Sequence, residues 1–209
     1  MQGIAEFFED GGTFMYINLV CSAIVVGTIL ERLVFIFTKY RVNAREFLNQ
    51  IKKLVQAGNI DRAIKLCEAA PLPLLQVVKA GLTQVSKGEE AIVASIEEKI
   101  MEVAPDLHKR IGALWSLANI ATLIGLLGTV TGLIRAFEAV AFANPEQRST
   151  LLSKGISEAM NNTAFGLGIA VTCMIAHLFI QGAAKKRHAE LEQVAVKLEN
   201  LLTLKAKAP

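Results

Sequence analysis

The sequence predicts an all-α integral membrane protein with three transmembrane helices and long cytoplasmic helical extensions. Three observations carry that fold class. Residues 13–30, 111–134 and 159–184 hold no Asp, Glu, Lys or Arg, although 20% of the 209-residue chain is charged. Hydrophobic residues reach 53% and mean hydropathy is +0.43, high for a soluble domain. Between the first two runs, apolar positions recur at helical rather than strand spacing.

The elements follow in order. Residues 1–12 set Ile4, Phe7 and Phe8 beside Glu6, Glu9 and Asp10 before Gly11-Gly12, which suits a short amphipathic helix on the outer interface or a disordered lead. A span needs about 20 mainly apolar residues. The first run falls just short, but it resumes after Glu31 and Arg32 as Leu33–Phe37, so a first span over 13–38 is expected with those two charges reaching the interface. Residues 39–110 form a cytoplasmic helical domain. Its first helix carries the stripe Phe47, Leu48, Ile51, Leu54 and Val55 and stops at Gly58-Asn59. A second runs over 60–70 to Pro71 and Pro73, and a third over 74–85 to Lys87-Gly88. A fourth opens on Glu89 and Glu90, which favour a helix N-terminus, and is expected to run through a kink at Pro105 into the second span.

The second span covers 111–137, a periplasmic hairpin turning at Asn144-Pro145-Glu146 covers 138–158, and the third span covers 159–184. The tail, 185–209, keeps the stripe Leu191, Val194, Leu198 and Leu201. Charge sets the orientation. Residues 1–12 have three acids and no Lys or Arg, 39–110 have twelve Lys/Arg against nine acids, and Lys185-Lys186-Arg187 follows the third span. The bias puts the N-terminus outside and the middle domain and tail in the cytoplasm. The acidic lead and basic flank do not fit a cleaved signal peptide. Cys21, Cys67 and Cys173 show no pairing pattern and read as small apolar residues.

Soluble-enzyme motifs are absent, so no enzyme, cofactor or metal is expected. Gly125, Gly128 and Gly132 lack the Lys-Ser/Thr of a phosphate loop, and His188 with Glu192 suits a solvated pair on a charged tail. What remains is polar and intramembrane. Thr122 and Thr129 share a face beside Gly125 and Gly132, with Trp115 and Asn119 flanking. Thr163, Gly166, Ala170 and Cys173 form a similar strip on the third span, with His177 deeper in line. Two readings stand: threonines lining an ion path, or threonines bonded to their own backbone while Gly125, Gly128, Gly132 and Gly166 pack helices. Membrane ion paths usually carry an ionisable group, and neither span has a carboxylate. A proton carrier must then come from another chain. Glu158, at the outer mouth, either draws cations in or marks where the helix leaves the bilayer.

Gly125-Leu-Leu-Gly-Thr-Val-Thr-Gly132, Gly155-Ile-Ser-Glu-Ala159 with Asn162-Thr-Ala-Phe-Gly-Leu-Gly168, and Leu30-Glu-Arg-Leu33 resemble the MotA/TolQ/ExbB proton-channel family over nearly the whole chain. Three spans match its ExbB/TolQ branch. The resemblance implies a homopentamer in a bacterial inner membrane, with a pore lined by the second and third spans. Inside stands a dimer of a single-span ExbD- or TolR-like partner with one essential Asp. It implies that proton-motive force drives work on a periplasm-spanning TonB- or TolA-like protein. Thr129 and Thr163 match the family's pore threonines and Glu158 its acid at the start of the third span. Thr131 departs from the Trp common in ExbB and TolQ. Its hydroxyl leaves sodium coupling, or a gliding or flagellar-type stator, open beside a non-conducting scaffold.

Overall fold

The computed structural model describes Phe8, residues 11–40 and residues 42–206, with side chains as far as Leu204. The expected amphipathic lead over 1–12 lies largely outside them. Among the described residues the regular structure is helical throughout: α1 (Gly12–Lys39), α2 (Ala44–Gln56), α3 (Ile60–Cys67), α4 (Pro73–Thr83), a 3-10 turn (Val85–Lys87), α5 (Glu89–His108), α6 (Ile111–Phe142) and α7 (Pro145–Ala206). Three helical stretches, those containing α1, α6 and α7, are long and apolar enough to cross a membrane. The chain folds as two compact units, Met1–Glu31 with Arg110–Phe179 and Arg32–Lys109 with Ile180–Pro209.

In the first unit α6 inverts the pattern of a soluble helix. Its buried positions are mostly small (Ala118, Ala121, Gly125, Gly128, Gly132, Ala136), while Leu123, Leu126, Val130, Ile134 and Phe137 are exposed. Burial of Leu or Phe drives packing in water; in lipid the gain comes from close backbone approach, which small residues permit. A Cβ on Gly125 would lie 3.1 Å from the Asn162 carbonyl oxygen and 3.3 Å from the Gly166 Cα. One on Gly132 would lie 3.2 Å from the Ala159 Cβ. The Ala143-Asn144 turn then leads to Pro145 as the first residue of α7, where a missing N–H costs nothing.

The second unit is built as a water-soluble helical domain is built. Phe47, Ile51 and Val55 of α2, Val77 and Val78 of α4, Ile92 and Ile96 of α5, and Leu191, Leu198 and Leu202 of α7 share one buried cluster. The expected tail stripe is thus a core face, with Leu202 fully buried and Leu201 at its edge. Asn43 caps α2, its Oδ1 accepting from the Glu46 N–H at 3.4 Å while its Nδ2 donates to the Glu46 carboxylate at 3.3 Å. Gly88, at φ +98°, turns the chain into α5. Burial pushes the Cys67 thiol up to about 12, so it remains an un-ionised core group.

Two expectations need correction. The fourth cytoplasmic helix does not run on into the second span: α5 ends at His108, and Arg110 sits at φ +60° before α6 starts at Ile111. Pro105 lies inside the last turn of α5, so it removes a single helical hydrogen bond close to where the helix ends anyway. The second correction concerns Arg32, which does not reach outward. It is 3% exposed, its Nη1 donates to the Asp106 carbonyl at 3.2 Å, and its guanidinium stands 4.9 Å from the Phe35 ring centre. A delocalised, weakly hydrated cation that stacks on an aromatic face tolerates such burial. Glu31 instead pairs with Arg110 at 2.6 Å.

Candidate functional site

Where α6 and α7 touch, the sequence offers hydroxyls and missing side chains together. Thr129 Oγ1 lies 3.1 Å from the Gly125 carbonyl of its own helix and 3.4 Å from the Ala159 carbonyl across the contact. Thr163 Oγ1 lies 3.3 Å from the same Gly125 carbonyl, and the two hydroxyls are hydrogen-bonded to each other. Gly125 and Gly166 make the meeting possible, because a Cβ on Gly166 would lie 2.7 Å from the Ala121 carbonyl oxygen. Two hydroxyls hold two protons among four acceptors, two carbonyls and each other, so lone pairs stay available on the pair. Both threonines are half-buried rather than sealed. Such a pair can donate to a carboxylate or accept from a protonated one, but it cannot itself ionise near neutral pH.

The other predicted residues divide. Thr122 donates to Ala118 at 3.1 Å and Thr131 to Leu127 at 2.9 Å, each within its own helix. Neither joins the pair. Gly128 faces Asn162 and Phe14, where a Cβ would stand 2.9 Å and 3.1 Å from their nearest atoms. Glu158 points away from Thr163: its carboxylate lies against Gly12 at the start of α1. Residues five apart on a helix project about 140° apart, which separates the two side chains despite their closeness in sequence. At the same end of α7, Ser149, Ser153, Lys154, Ser157 and Glu158 line a polar cleft of about 490 Å³.

Toward the other end of the contact, Cys173 Sγ donates to the Leu114 carbonyl at 3.0 Å. His177 Nδ1 lies 3.0 Å from the Ile111 carbonyl. A carbonyl only accepts, so Nδ1 carries the proton there. The Trp115 ring lies 6.1 Å from that of His177, while Asn119 is exposed.

Two asparagines matter more than the sequence suggested. Asn162 is 2% exposed; its Nδ2 donates to the Gly11 carbonyl at 2.5 Å and to the backbone carbonyl of Glu158 at 3.2 Å, tying the start of α1 to α7. Asn18 is fully buried, with neither carboxamide atom hydrogen-bonded among the described residues. Its Nδ2 lies 3.2 Å from where a Gly166 Cβ would be. The available signal was an amide in an otherwise apolar run, which periodicity alone does not place. Among the described residues no cluster of His, Cys, Asp and Glu could hold a metal ion.

Comparison with known proteins fits this arrangement. The model of the MotA/TolQ/ExbB proton channel family matches residues 69–193. Biopolymer transport protein exbB1 of Vibrio cholerae is 28% identical over 200 residues, covering 92% of this chain and 85% of that protein. An ExbB homolog of Methanothermobacter thermautotrophicus is 21% identical over 180 residues, 86% of this chain, which spans 63% of that relative's length. The Tol-Pal system protein TolQ of Haemophilus influenzae is 35% identical over 71 residues, 34% of this chain and 31% of its own. A match over more than half of the chain, with three helices fit to span a membrane, settles the family: this chain belongs to the MotA/TolQ/ExbB proton channel family.

Proposed function

We propose that the chain is the ion-conducting stator subunit of an energy-transducing machine in a bacterial inner membrane, with its N-terminus periplasmic and its tail cytoplasmic. Five copies enclose a pore, and a single-span ExbD- or TolR-like partner brings an intramembrane Asp to the Thr129–Thr163 pair. Protons driven by the proton-motive force neutralise that Asp in turn, and the resulting motion works on a periplasm-spanning TonB- or TolA-like protein. The observation that carries this reading is the bonded hydroxyl pair, half-exposed between two acid-free spans. It supplies polar contacts for a carboxylate and lacks the carboxylate itself. Thr131 donates within its own helix and does not join the hydroxyl pair, which places the proposed carboxylate contact at Thr129 and Thr163.

The experiment is Thr129→Val and Thr163→Val, singly and together, in the chain co-reconstituted with its partner. A hydrogen bond to a charged group contributes about 1.5–3 kcal/mol. Proton flux should therefore fall by about ten- to a hundredfold while the complex purifies at unchanged mass. Full flux from the double variant would return the threonines to helix packing.

A further inference from the structure

The second unit carries a groove of about 460 Å³ between the start of α2 and α7. Val42, Leu48 and Val194 give it an apolar lining, and its charged groups are Arg45, Lys186, Arg187, Lys197 and Glu190. The single acid is engaged, with Arg187 Nη1 donating to Glu190 at 2.7 Å. Arg45, Lys186 and Lys197 form no ion pair among the described residues, so the groove holds uncompensated positive charge. The three side chains are exposed and line one concave site with an apolar wall. The sequence position of the groove adds to this. Lys186 and Arg187 follow the charge-free run 159–184 one residue on, after Lys185, and Lys39, at the end of α1, lines an adjoining recess with Arg187 and Glu190. The mouth of the groove thus stands where a span leaves the hydrocarbon and lipid headgroups begin.

We propose that the mouth of this groove binds the phosphate of an anionic glycerophospholipid headgroup of the cytoplasmic leaflet, held by Arg45 and Lys186, with the apolar wall against the glycerol and upper acyl chain. Basic pockets at the cytoplasmic ends of membrane helices have this chemistry. The inference rests on the cytoplasmic placement of residues 39–110 and the tail. A soluble phosphate offers the same anion, and depth separates the two sources. Lys197 lies eleven residues beyond Lys186, about 16 Å farther along the helix. That is below a headgroup layer only about 5–8 Å thick. A lipid phosphate uses Arg45 and Lys186, with Arg187 beside them once it is freed from Glu190, and leaves Lys197 aside, whereas a soluble polyanion draws on Lys197 as well.

The test titrates the full chain in detergent with dioctanoyl-phosphatidylglycerol, dioctanoyl-phosphatidylcholine or inorganic phosphate, counting adducts by native mass spectrometry. Phosphatidylglycerol adducts should persist where phosphatidylcholine adducts are lost. Arg45→Gln with Lys186→Gln should weaken the former about thirtyfold. Lys197→Gln should leave it unchanged. Glu190→Gln should tighten it by freeing Arg187, and this gain stays readable should the double variant fold poorly. Equal retention of both lipids, or wild-type binding by the double variant, overturns the proposal. So does competition by inorganic phosphate joined to loss in Lys197→Gln, which points to a soluble ligand. A changed oligomeric mass with unchanged lipid count gives the groove to a second copy and overturns it too. None of these readings uses ion flux, so a failure here and a failure of the stator reading are told apart.

Discussion

A threonine inside an apolar helix ordinarily donates to the carbonyl one turn back, and Thr28, Thr122, Thr131 and Thr172 all do. Thr129 and Thr163 differ because each reaches across to the neighbouring helix, Thr129 in addition to the carbonyl of its own. Spacing could nominate both but could not separate them from Thr122 and Thr131, since every one of these hydroxyls sits in the same kind of sequence. The same limit applied to charge. Arg32 looked interfacial from its place after an apolar run, yet a ring beneath it and a carbonyl beside it make burial tolerable. Glu199 yields a prediction at this scale. Burial first, then nearby Glu97, raises its carboxyl above the usual range. An acid whose folded-state pKa is raised costs stability above that value, and the cost fades as pH falls through it. Glu199→Gln should therefore raise the melting temperature at neutral pH and lose that advantage in acid, as circular dichroism melts would record.

Among the elements, α6 and α7 depend on small residues more than on any large one. Gly166 faces backbone, the Ala121 carbonyl oxygen and the Gly125 Cα, and backbone cannot step aside as a side-chain tip can. Gly168, two residues on, has nothing within 4 Å. Gly166→Ala should destabilise the helix pair by about 1–3 kcal/mol, as overpacking does. Gly168→Ala should be neutral or slightly stabilising through helix propensity. Thermal melts of both variants in detergent check the pair; equal losses would mean that glycine matters here for flexibility instead of approach. Helix ends were less legible than helix faces. Apolar periodicity runs through 105–111 without interruption, so only the backbone, extended at Lys109 and left-handed at Arg110, shows that α5 and α6 are separate.

At the scale of the molecule, what the spans lack decides what the chain can do alone. Neither α6 between Ile111 and Ile134 nor α7 between Ala159 and Ala184 holds an acid or a Lys or Arg. A hydroxyl pair without an ionisable group offers no site that holds a transferred proton at neutral pH, and intramembrane proton paths are marked by such groups. Liposomes with this chain alone should show no proton flux above empty vesicles under an imposed potential, and flux should appear on adding the partner. Flux from the chain alone would require another titratable group, His177 first. The large side chains exposed on α6, with Phe137 at 61%, also leave apolar surface for lipid or further copies.

Composition and order by themselves determined the fold class, the three long apolar helices and the family. A 24- or 26-residue run free of charge has few fates other than a membrane, and a buried stripe in 44–56 has few forms other than a helix. Only the tertiary structure decided which hydroxyls meet. Glu158 and Thr163 are five residues apart and turn to different neighbours, while Thr129 and Thr163 are 34 residues apart and bond. Sequence spacing fixes directions around one helix. Which second helix stands in that direction is set by where glycines let two backbones close together.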